Sequence, residues 1–463
     1  MTVSPRRPFV ALLITALLLA GCGQPQPSSP SGSPSTPSAS SIPSSTIAGE
    51  VIPAPGSNSE LYAPNPGALV VAIDPGHGGC LDWGVPDPRQ RGVPYSEKTM
   101  TLAIGTELRR LLEAQGVTVV MTRTDDQALA GDDYPDLSCH GPPWRDVNGD
   151  GESGFHPDDL EGKVRTRDEL QARLDLANVA RADILISIHI NALTQDGVVV
   201  EIAATETYYT DETAWGTSAT ERLASLIQRE VLAGLAGVAD YERQDRGVKA
   251  QNLYMVAPPL LEPTPERPDP RKQPTRGALM PSVLAEVGSI TLAAEQDLLA
   301  SAVGQAAAAN GIYAALVTYF AERPQAVRYA LPALEGPAGS APQPIDGDGP
   351  PFWVPDLPGD AAGNGIPVLL TNTGTEPWPA ELALLAGWAE SEEPYLRVAP
   401  EALVPLPVDV PSLAPGESVE LRLLLEPPAE AVARRAVWVT LAAAGTSFAD
   451  LGSPPLQLAW PSD

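Results

Sequence analysis

Positively charged residues are scarce in this chain of 463 residues. There are 29 Lys and Arg residues against 58 Asp and Glu residues, so the formal net charge at pH 7 is -29. A protein that binds nucleic acid neutralises phosphates with a basic surface, and this composition argues against such a function. An acidic surface instead favours solubility and the binding of cations.

A long apolar run is also missing at the N-terminus. The sequence MTVSPRRPFVALLITALLLAGC places two arginines before about a dozen mostly apolar residues. This run is too short for an ordinary membrane-spanning helix of ~20 residues, and its plan is typical of a signal peptide. The final LAGC resembles a bacterial lipobox, which implies that residues 1–22 are a lipoprotein signal and that Cys22 is lipidated. We therefore expect an extracytoplasmic lipoprotein anchored to a membrane, the alternative being an ordinary secretory signal with an incidental cysteine.

Cysteine is rare, with three residues in the whole chain. If Cys22 carries lipid, Cys80 and Cys139 remain, and outside the cytoplasm such a pair can form a disulfide. Spacing along the sequence does not show whether two cysteines meet. A disulfide between Cys80 and Cys139 and a pair of free thiols are therefore both open.

The composition divides the chain into a tether and at least two folded parts, in line with ~100 to 200 residues per domain. Residues 23–66 are rich in proline and serine and cannot bury a core, which predicts a flexible tether. Residues 67–323 alternate apolar strands with helical patterns, which predicts an α/β fold with a mostly parallel sheet flanked by helices. The predicted strands are 68–74, 117–123, 183–190 and 281–288, and the predicted helices are 97–116, 164–181, 215–235 and 292–321.

Two polar segments interrupt the α/β pattern. Residues 126–163 are rich in Gly, Asp and Pro, and residues 258–275 contain too much proline for a helix, so both are predicted to be loop insertions. After a linker at 324–349, residues 350–463 show short strands with turn signals, which predicts a small all-β sandwich. The segments NTGTEPWP, LAPGE and AVWVTL make this last part similar to an Ig-like module of bacterial surface proteins.

Histidine is scarce as well, with four residues, and two of them stand at the ends of predicted strands. His77 follows ALVVAID, His189 ends DILISIHI, and Glu286 ends PSVLAE. The carboxyl ends of such strands meet at one edge of the sheet, where α/β proteins form their ligand crevices. Each residue alone has an ordinary explanation, but three ionisable groups at apolar strand ends suggest pairing or a metal. The pattern predicts a functional site at this edge.

Glu97 is the fourth candidate, in the first turn of the helix that follows the His77 loop. A carboxylate at that position can simply stabilise the helix N-terminus, an effect worth ~0.3 to 1 kcal/mol. Alternatively, it joins His77 and His189 in holding a metal. Two histidines, one glutamate and a water form a tetrahedral catalytic zinc site, so the sequence predicts one zinc ion.

Six sequence blocks follow one another between about residues 68 and 322. They read VVAIDPGHGG, SEKTMTLAIGTEL, VVMTRTDD, ARLDLANVARADILISIHINA, DRGVKAQNLYMV and MPSVLAEVG. Together they resemble the type 3 family of zinc-dependent N-acetylmuramoyl-L-alanine amidases. The resemblance implies the type 3 amidase fold, with His77, Glu97 and His189 as zinc ligands and Glu286 as the catalytic glutamate.

The resemblance also implies a reaction and a substrate. It is the hydrolysis of the amide between N-acetylmuramic acid and L-alanine in peptidoglycan, which serves cell-wall remodelling or daughter-cell separation. Zinc would polarise the carbonyl and activate water, while Glu286 would carry the proton from water to the leaving amine. The chain departs from the family pattern at CLDWGVPDP, after the first ligand, and at AEVGSI, around the catalytic glutamate.

The first insertion contains a second candidate cation site. Its DVNGDG segment matches the first six positions of a calcium loop, with Asp146, Asn148 and Asp150 as oxygen donors. The twelfth position, where a bidentate acid belongs, is a proline. A nonstandard calcium loop and a solvated acidic turn are therefore both open. The remaining histidines, His140 and His156, are interpreted as loop residues.

Other functions compete with the zinc amidase. A non-catalytic peptidoglycan-binding lipoprotein could retain the fold, although it would have no need of all four site residues. A zinc hydrolase acting on another amide would use the same residues and differ only in its products. An activator protein is a further hypothesis, because in some members of the family an inserted segment covers the zinc.

Overall fold

The computed structural model describes nine stretches of the chain: residues 66–79, 82–130, 146–148, 163–213, 215–257, 277–331, 365–390, 402–425 and 435–460. The predictions for the lipoprotein signal, the tether, Cys22, Cys80, Cys139, His140, Asp150, His156 and the insertion 258–275 fall outside these stretches. Among the described residues, no helix is both long and apolar enough to cross a membrane.

The α/β part consists of one large sheet, one short hairpin and five helices. The strands are β1 Val70–Pro75, β2 Thr118–Met121, β3 Ile184–Asn191, β4 Thr194–Gln195, β5 Val198–Val199, β6 Ala203–Tyr209, β7 Arg243–Ala250 and β8 Ser282–Ser289. The helices are α1 Glu97–Glu113, α2 Lys163–Val179, α3 Thr217–Ala236, α4 Ala293–Leu299 and α5 Ala302–Ala321.

The large sheet has six strands in the order β2-β1-β3-β8-β6-β7. All neighbouring pairs are parallel except β6 and β8, which are antiparallel. Strand β6 runs opposite to β3 because only a short segment connects them. A parallel strand would need a longer crossover connection, usually a helix, whereas an antiparallel strand does not. The predicted fold class, a mostly parallel sheet flanked by helices, is confirmed. Strands β6 and β7 were absent from the sequence prediction.

Helix α1 is fixed to the sheet by one apolar stripe. Met100, Ile104, Leu108 and Leu112 are fully buried and share the main core with β1 and β3. Residues four apart lie on one face of a helix, so this stripe determines which way α1 faces. Truncation of one such side chain to alanine typically costs about 2–5 kcal/mol. Burial of the stripe also places Glu97, the first residue of α1, at the edge where β1 ends.

The single predicted helix at 292–321 is wrong, because the structure has two helices there. Ser301 adopts an extended backbone conformation between them, and its hydroxyl accepts a hydrogen bond from the Gly304 amide at 3.2 Å. A Cβ atom on Gly304 would lie 2.1 Å from the Leu298 carbonyl oxygen, so glycine is required where α5 starts against the end of α4. The apolar pattern continues through this break, and no proline marks it in the sequence. The break is made instead by the Ser301 hydroxyl, which caps α5, and by Gly304.

The C-terminal part contains two antiparallel sheets around a second core. Its strands are β9 Val327–Ala330, β10 Ile366–Asn372, β11 Leu382–Glu390, β12 Val404–Pro405, β13 Ser418–Leu423, β14 Arg435–Ala443, β15 Thr446–Ser447 and β16 Leu456–Trp460. One sheet has the order β13-β10-β9, the other has the order β12-β11-β14-β15, and β16 also pairs with β14. The arrangement is compatible with an Ig-like module.

The predicted linker at 324–349 is wrong in its first residues, because β9 lies within it and pairs with β10. Val327 and Tyr329 of β9 are buried in the second core. Four residues are too short to display an alternating pattern in the sequence. Arg328, between them, donates to the Arg181 carbonyl at 2.6 Å and lies 3.2 Å from an Asp183 carboxylate oxygen. The second core is therefore joined to the α/β part at the start of β3.

Candidate active site

The turn after β1 brings the first two predicted site residues together. The Gly76 amide donates to the Ile188 carbonyl at 2.9 Å, which continues the pairing of β1 with β3. A Cβ atom on Gly76 would lie 2.4 Å from Cε1 of His189, so only glycine lets the turn pass this ring. His77 follows with a left-handed φ of 64°, an uncommon conformation for a residue with a side chain. The backbone is thus shaped to bring His77 beside His189.

Glu97 is held at the base of the site by backbone amides. Its Oε2 atom accepts from the Val85 amide at 2.8 Å, and its Oε1 atom accepts from the Ile190 amide at 2.9 Å. The side chain is almost completely buried. A buried carboxylate with backbone donors on both oxygens has a fixed orientation, and its Oε1 atom also faces the two histidines.

His77, Glu97 and His189 form one cluster, which we call the metal cluster. One ligand atom of each residue lies within 4.8 Å of the others, and no second cluster of this kind occurs in the nine described stretches. Glu97 Oε1 lies 3.1 Å from His77 Nε2 and 3.2 Å from His189 Nδ1. Two imidazole nitrogens and one carboxylate oxygen are the donor set of a catalytic zinc site, so the residues present fit the metal.

The protonation states within the metal cluster are mutually dependent. Burial opposes a charged imidazole, but the Glu97 and Asp82 carboxylates outweigh it and raise the pKa of His77 well above its ordinary value. Burial likewise opposes the Glu97 carboxylate, but His77 and His189 hold the pKa of Glu97 far below its usual range. The protein thus keeps an anionic carboxylate between two imidazoles, which suits the binding of a cation.

Asp82 is a site residue that the sequence analysis missed. Its Oδ1 atom lies 2.6 Å from His77 Nδ1 and also accepts from the Gly84 amide at 3.2 Å. Burial raises the pKa of Asp82, but His77 outweighs it, and the net effect lowers that pKa to about 2. A carboxylate on one ring nitrogen orients the other nitrogen toward a metal. Asp82 lies in the CLDWGVPDP segment that departs from the family pattern, so the resemblance gave no signal for it.

Two buried arginines hold the turn that carries His77. Arg173 Nη2 donates to the His77 carbonyl at 2.7 Å, and its Nη1 donates to Asp74 at 2.9 Å. Arg123 Nη2 donates to the Gly76 carbonyl at 3.0 Å. Burial and the neighbouring Arg173 charge lower the pKa of Arg123 to about 10, which still leaves it charged at neutral pH. These charge-assisted hydrogen bonds stabilise the unusual backbone of the turn.

Glu286 lies beside the metal cluster, because β8 pairs with β3 in the register that sets Glu286 against His189. Its Oε2 atom is buried and has no hydrogen-bond partner among the described residues. Burial and the Glu97 and Glu206 carboxylates raise the pKa of Glu286 well above its usual range. A buried carboxyl with an uncommitted oxygen is suited to exchange protons with a substrate.

Glu206 is a second residue that the sequence analysis missed. It pairs with Glu286 across β6 and β8, so the two side chains point to the same side of the sheet. The Glu206 carboxylate is buried and accepts hydrogen bonds from Asn191, Arg246 and Lys249. The site therefore continues across the sheet toward β7.

The predicted calcium loop is only partly described. The backbone amides of Val147 and Asn148 donate to Asp168 at 2.9 and 3.2 Å, which ties this segment to α2. Asp146 and Asn148 are described, whereas Asp150 lies outside the described stretches. Calcium binding at this loop stays a prediction.

Comparison with known proteins gives consistent matches over the α/β part. Residues 71–318 match the Amidase_3 family, described as N-acetylmuramoyl-L-alanine amidase. The germination-specific N-acetylmuramoyl-L-alanine amidase of Bacillus subtilis (strain 168) is 25% identical over 255 residues, which cover 55% of this chain and 81% of that protein.

Two solved structures are similar over the same part of the chain. The amidase AmiC2 of Nostoc punctiforme is 25% identical, with a TM-score of 0.34, over 54% of this chain and 97% of that one. An N-acetylmuramoyl-L-alanine amidase from Clostridium difficile 630 is 24% identical, with a TM-score of 0.36, over 55% of this chain and 98% of that one.

Proposed function

The chain belongs to the Amidase_3 family of N-acetylmuramoyl-L-alanine amidases, and on this premise we propose that it is a zinc-dependent peptidoglycan hydrolase. Its reaction is the cleavage of the amide between the lactyl group of N-acetylmuramic acid and the L-alanine of the peptide stem. The observation that carries the proposal is the meeting of His77, Glu97 and His189 next to the uncommitted carboxyl of Glu286.

The metal cluster is the proposed zinc site. When bound, zinc supplies a Lewis acid that polarises the scissile carbonyl and makes water more acidic. With zinc bound, both histidines would have to coordinate as neutral rings, so His77 would give up the proton that its raised pKa favours in the absence of the metal. Glu97 would contribute a negative charge that offsets part of the charge of the ion. Asp82 orients the His77 ring through Nδ1 at 2.6 Å.

Glu286 is the proposed proton carrier. The hydrolysis needs a base that takes a proton from the attacking water and an acid that gives a proton to the leaving amine. One carboxyl can perform both steps in turn if its pKa lies nearer to neutral than usual, and burial with two nearby carboxylates raises the pKa of Glu286. Its free Oε2 atom is the place where the proton is held.

Product analysis with a matched variant tests this proposal. The purified protein should release intact peptide stems with a free L-alanine amino group from cell-wall fragments, as identified by mass spectrometry. Glu286→Gln keeps the shape of the side chain but cannot exchange the proton, so we expect turnover to fall by at least about 100-fold. Zinc content measured on the same sample should stay at one ion per chain. Uncleaved muropeptides from a wild-type protein that holds stoichiometric zinc would refute the proposal.

The cellular setting is a further part of the proposal. We propose that Cys22 is lipidated, that the enzyme acts outside the cytoplasm from a membrane surface, and that it serves cell-wall remodelling or daughter-cell separation. The support is the LAGC segment after a short apolar run, followed by a proline- and serine-rich tether. Cys22→Ala should move the protein from the membrane fraction to the soluble fraction. We also propose that the C-terminal sheets are an Ig-like accessory module.

A further inference from the structure

Two basic side chains contact Glu206, which is the cross-strand neighbour of Glu286, and they have no part in the mechanism above. They belong to β7, and we call Arg246 and Lys249 the cationic pair. Arg246 Nε donates to Glu206 at 2.7 Å, and Lys249 Nζ donates to the same carboxylate oxygen. Asn191 occupies the other oxygen of Glu206. Donors therefore reach both oxygens of the carboxylate, and the carboxylate orients both cations.

The cationic pair is anchored inside the protein but reaches solvent. The Glu206 side chain is 2% exposed, whereas those of Arg246 and Lys249 are 38% and 34% exposed. One buried negative charge on Glu206 faces two positive charges, so these three side chains together carry a net charge of +1. Guanidinium and ammonium groups also carry several N–H donors each, and only one from each is used on Glu206. The pair can therefore accept a further anionic group.

The position of the cationic pair places it on the side of the site where we expect the peptide stem of the substrate to lie. The strands run in the order β3, β8, β6 and β7, which sets His189, Glu286, Glu206 and the pair in sequence across the sheet. Glu286 gives a proton to the leaving amine, so the amine must lie on the Glu286 side of the scissile bond. The peptide stem that continues from this amine then extends toward β6 and β7.

The spacing between strands indicates which residue of the peptide stem the cationic pair can contact. Adjacent strands are about 4.8 Å apart, and the cationic pair extends back from β7 to a carboxylate on β6. Its charged ends therefore lie on the order of 5 Å beyond Glu286. Consecutive Cα atoms of a peptide are about 3.8 Å apart, so the residue after L-alanine comes within reach.

We propose that Arg246 and Lys249 bind a free carboxylate of the peptide stem, namely the α-carboxylate of the D-glutamate that follows L-alanine through a γ linkage. This inference rests on the proposed amidase function and names a determinant of its substrate. The carboxylate needs such a site, because a chain of net charge -29 otherwise repels an anionic peptide. Glu206 is a positioning residue that aims the two cations.

A pair of synthetic substrates tests the proposal. Muropeptides with D-glutamate and with D-isoglutamine at the second stem position differ only in a carboxylate that becomes a neutral carboxamide. The wild-type enzyme should cleave the carboxylate form with a kcat/KM about tenfold higher, since a hydrogen bond to a charged group is at stake. Lys249→Met and Arg246→Met should each reduce this ratio toward one, chiefly by slowing cleavage of the carboxylate form.

Control measurements separate this inference from the amidase proposal. Arg222→Met removes a surface charge on α3 that pairs with Glu322 at the C-terminal end of α5, and it should leave the substrate ratio unchanged. Circular dichroism shows whether each variant is folded. Equal cleavage of both substrates by the wild type would overturn the carboxylate site and leave the amidase function standing.

Binding provides a readout that does not need turnover. Calorimetric titration of the Glu286→Gln variant with the two muropeptides should give an affinity about tenfold higher for the carboxylate form. Failure of the wild type to cleave either substrate would refute the amidase function, whereas equal affinities in this titration would refute the carboxylate site. The two proposals therefore fail through different measurements.

Discussion

The two halves of the active-site edge are built on opposite principles. In the metal cluster's half, the charged groups are buried in pairs: Arg173 and Asp74 lie 2.9 Å apart with side chains that are each 1% exposed. In the other half, the cations of the cationic pair are about a third exposed and only Glu206 is buried. Buried ion pairs are rigid, because either charge without the other is costly. Cations that are about a third exposed are held less rigidly than buried ones.

This difference matches the role that we propose for each half. The proposed zinc site would need ligands held close to one geometry, and the buried arginines around the His77 turn stabilise such a geometry. The proposed site for a peptide carboxylate would have to admit, orient and release a flexible substrate, which a solvent-facing pair does better. The comparison predicts that substitutions in the metal half cost stability or metal, whereas substitutions near the cationic pair cost little stability.

The largest stability effect is expected for Arg173→Met. This change leaves the buried Asp74 and Glu169 carboxylates without their guanidinium partner, and it removes a donor to the His77 carbonyl. We expect the free energy of unfolding, measured by urea denaturation, to fall by about 3–5 kcal/mol. The matched control is Arg222→Met, whose ion pair with Glu322 is 44% and 45% exposed and should be worth at most about 1 kcal/mol. Equal losses in the two variants would contradict the idea of a rigid metal half.

A smaller effect, confined to the metal, is expected for Asp82→Asn. Asparagine keeps the size of the side chain but loses the charge that orients His77 through Nδ1. We expect zinc affinity, measured by competition with a chelating indicator, to fall by about 10- to 100-fold with little change in unfolding. Asp297→Asn removes an exposed acid on α4 and should leave zinc affinity unchanged. Wild-type zinc affinity in Asp82→Asn would mean that the turn alone orients the ring.

The two halves also differ in how far the sequence predicts them. His77, His189 and Glu286 follow apolar runs that give clear strand signals, and the resemblance covers these blocks. Strand β7 reads RQDRGVKA and is largely exposed at the sheet edge, so it has no apolar pattern to detect. Strand β6 buries Glu206 among threonines, and its pairing with β8 joins residues 80 positions apart. Such pairing depends on tertiary packing, so it cannot be predicted from the local sequence pattern. Asp82 was missed for a related reason, because its role depends on how one loop folds back.

The smallest effect on stability is expected for Glu206→Gln. Glutamine still offers an oxygen to one of its three donors, and the two cations it releases are already near water. We expect the free energy of unfolding to fall by about 1 kcal/mol, well below the loss in Arg173→Met. Glu322→Gln, which weakens an exposed pair, provides the baseline under the same conditions. A loss as large as that of Arg173→Met would show that the β6 and β7 half is as rigid as the metal half, and the contrast between them would fail.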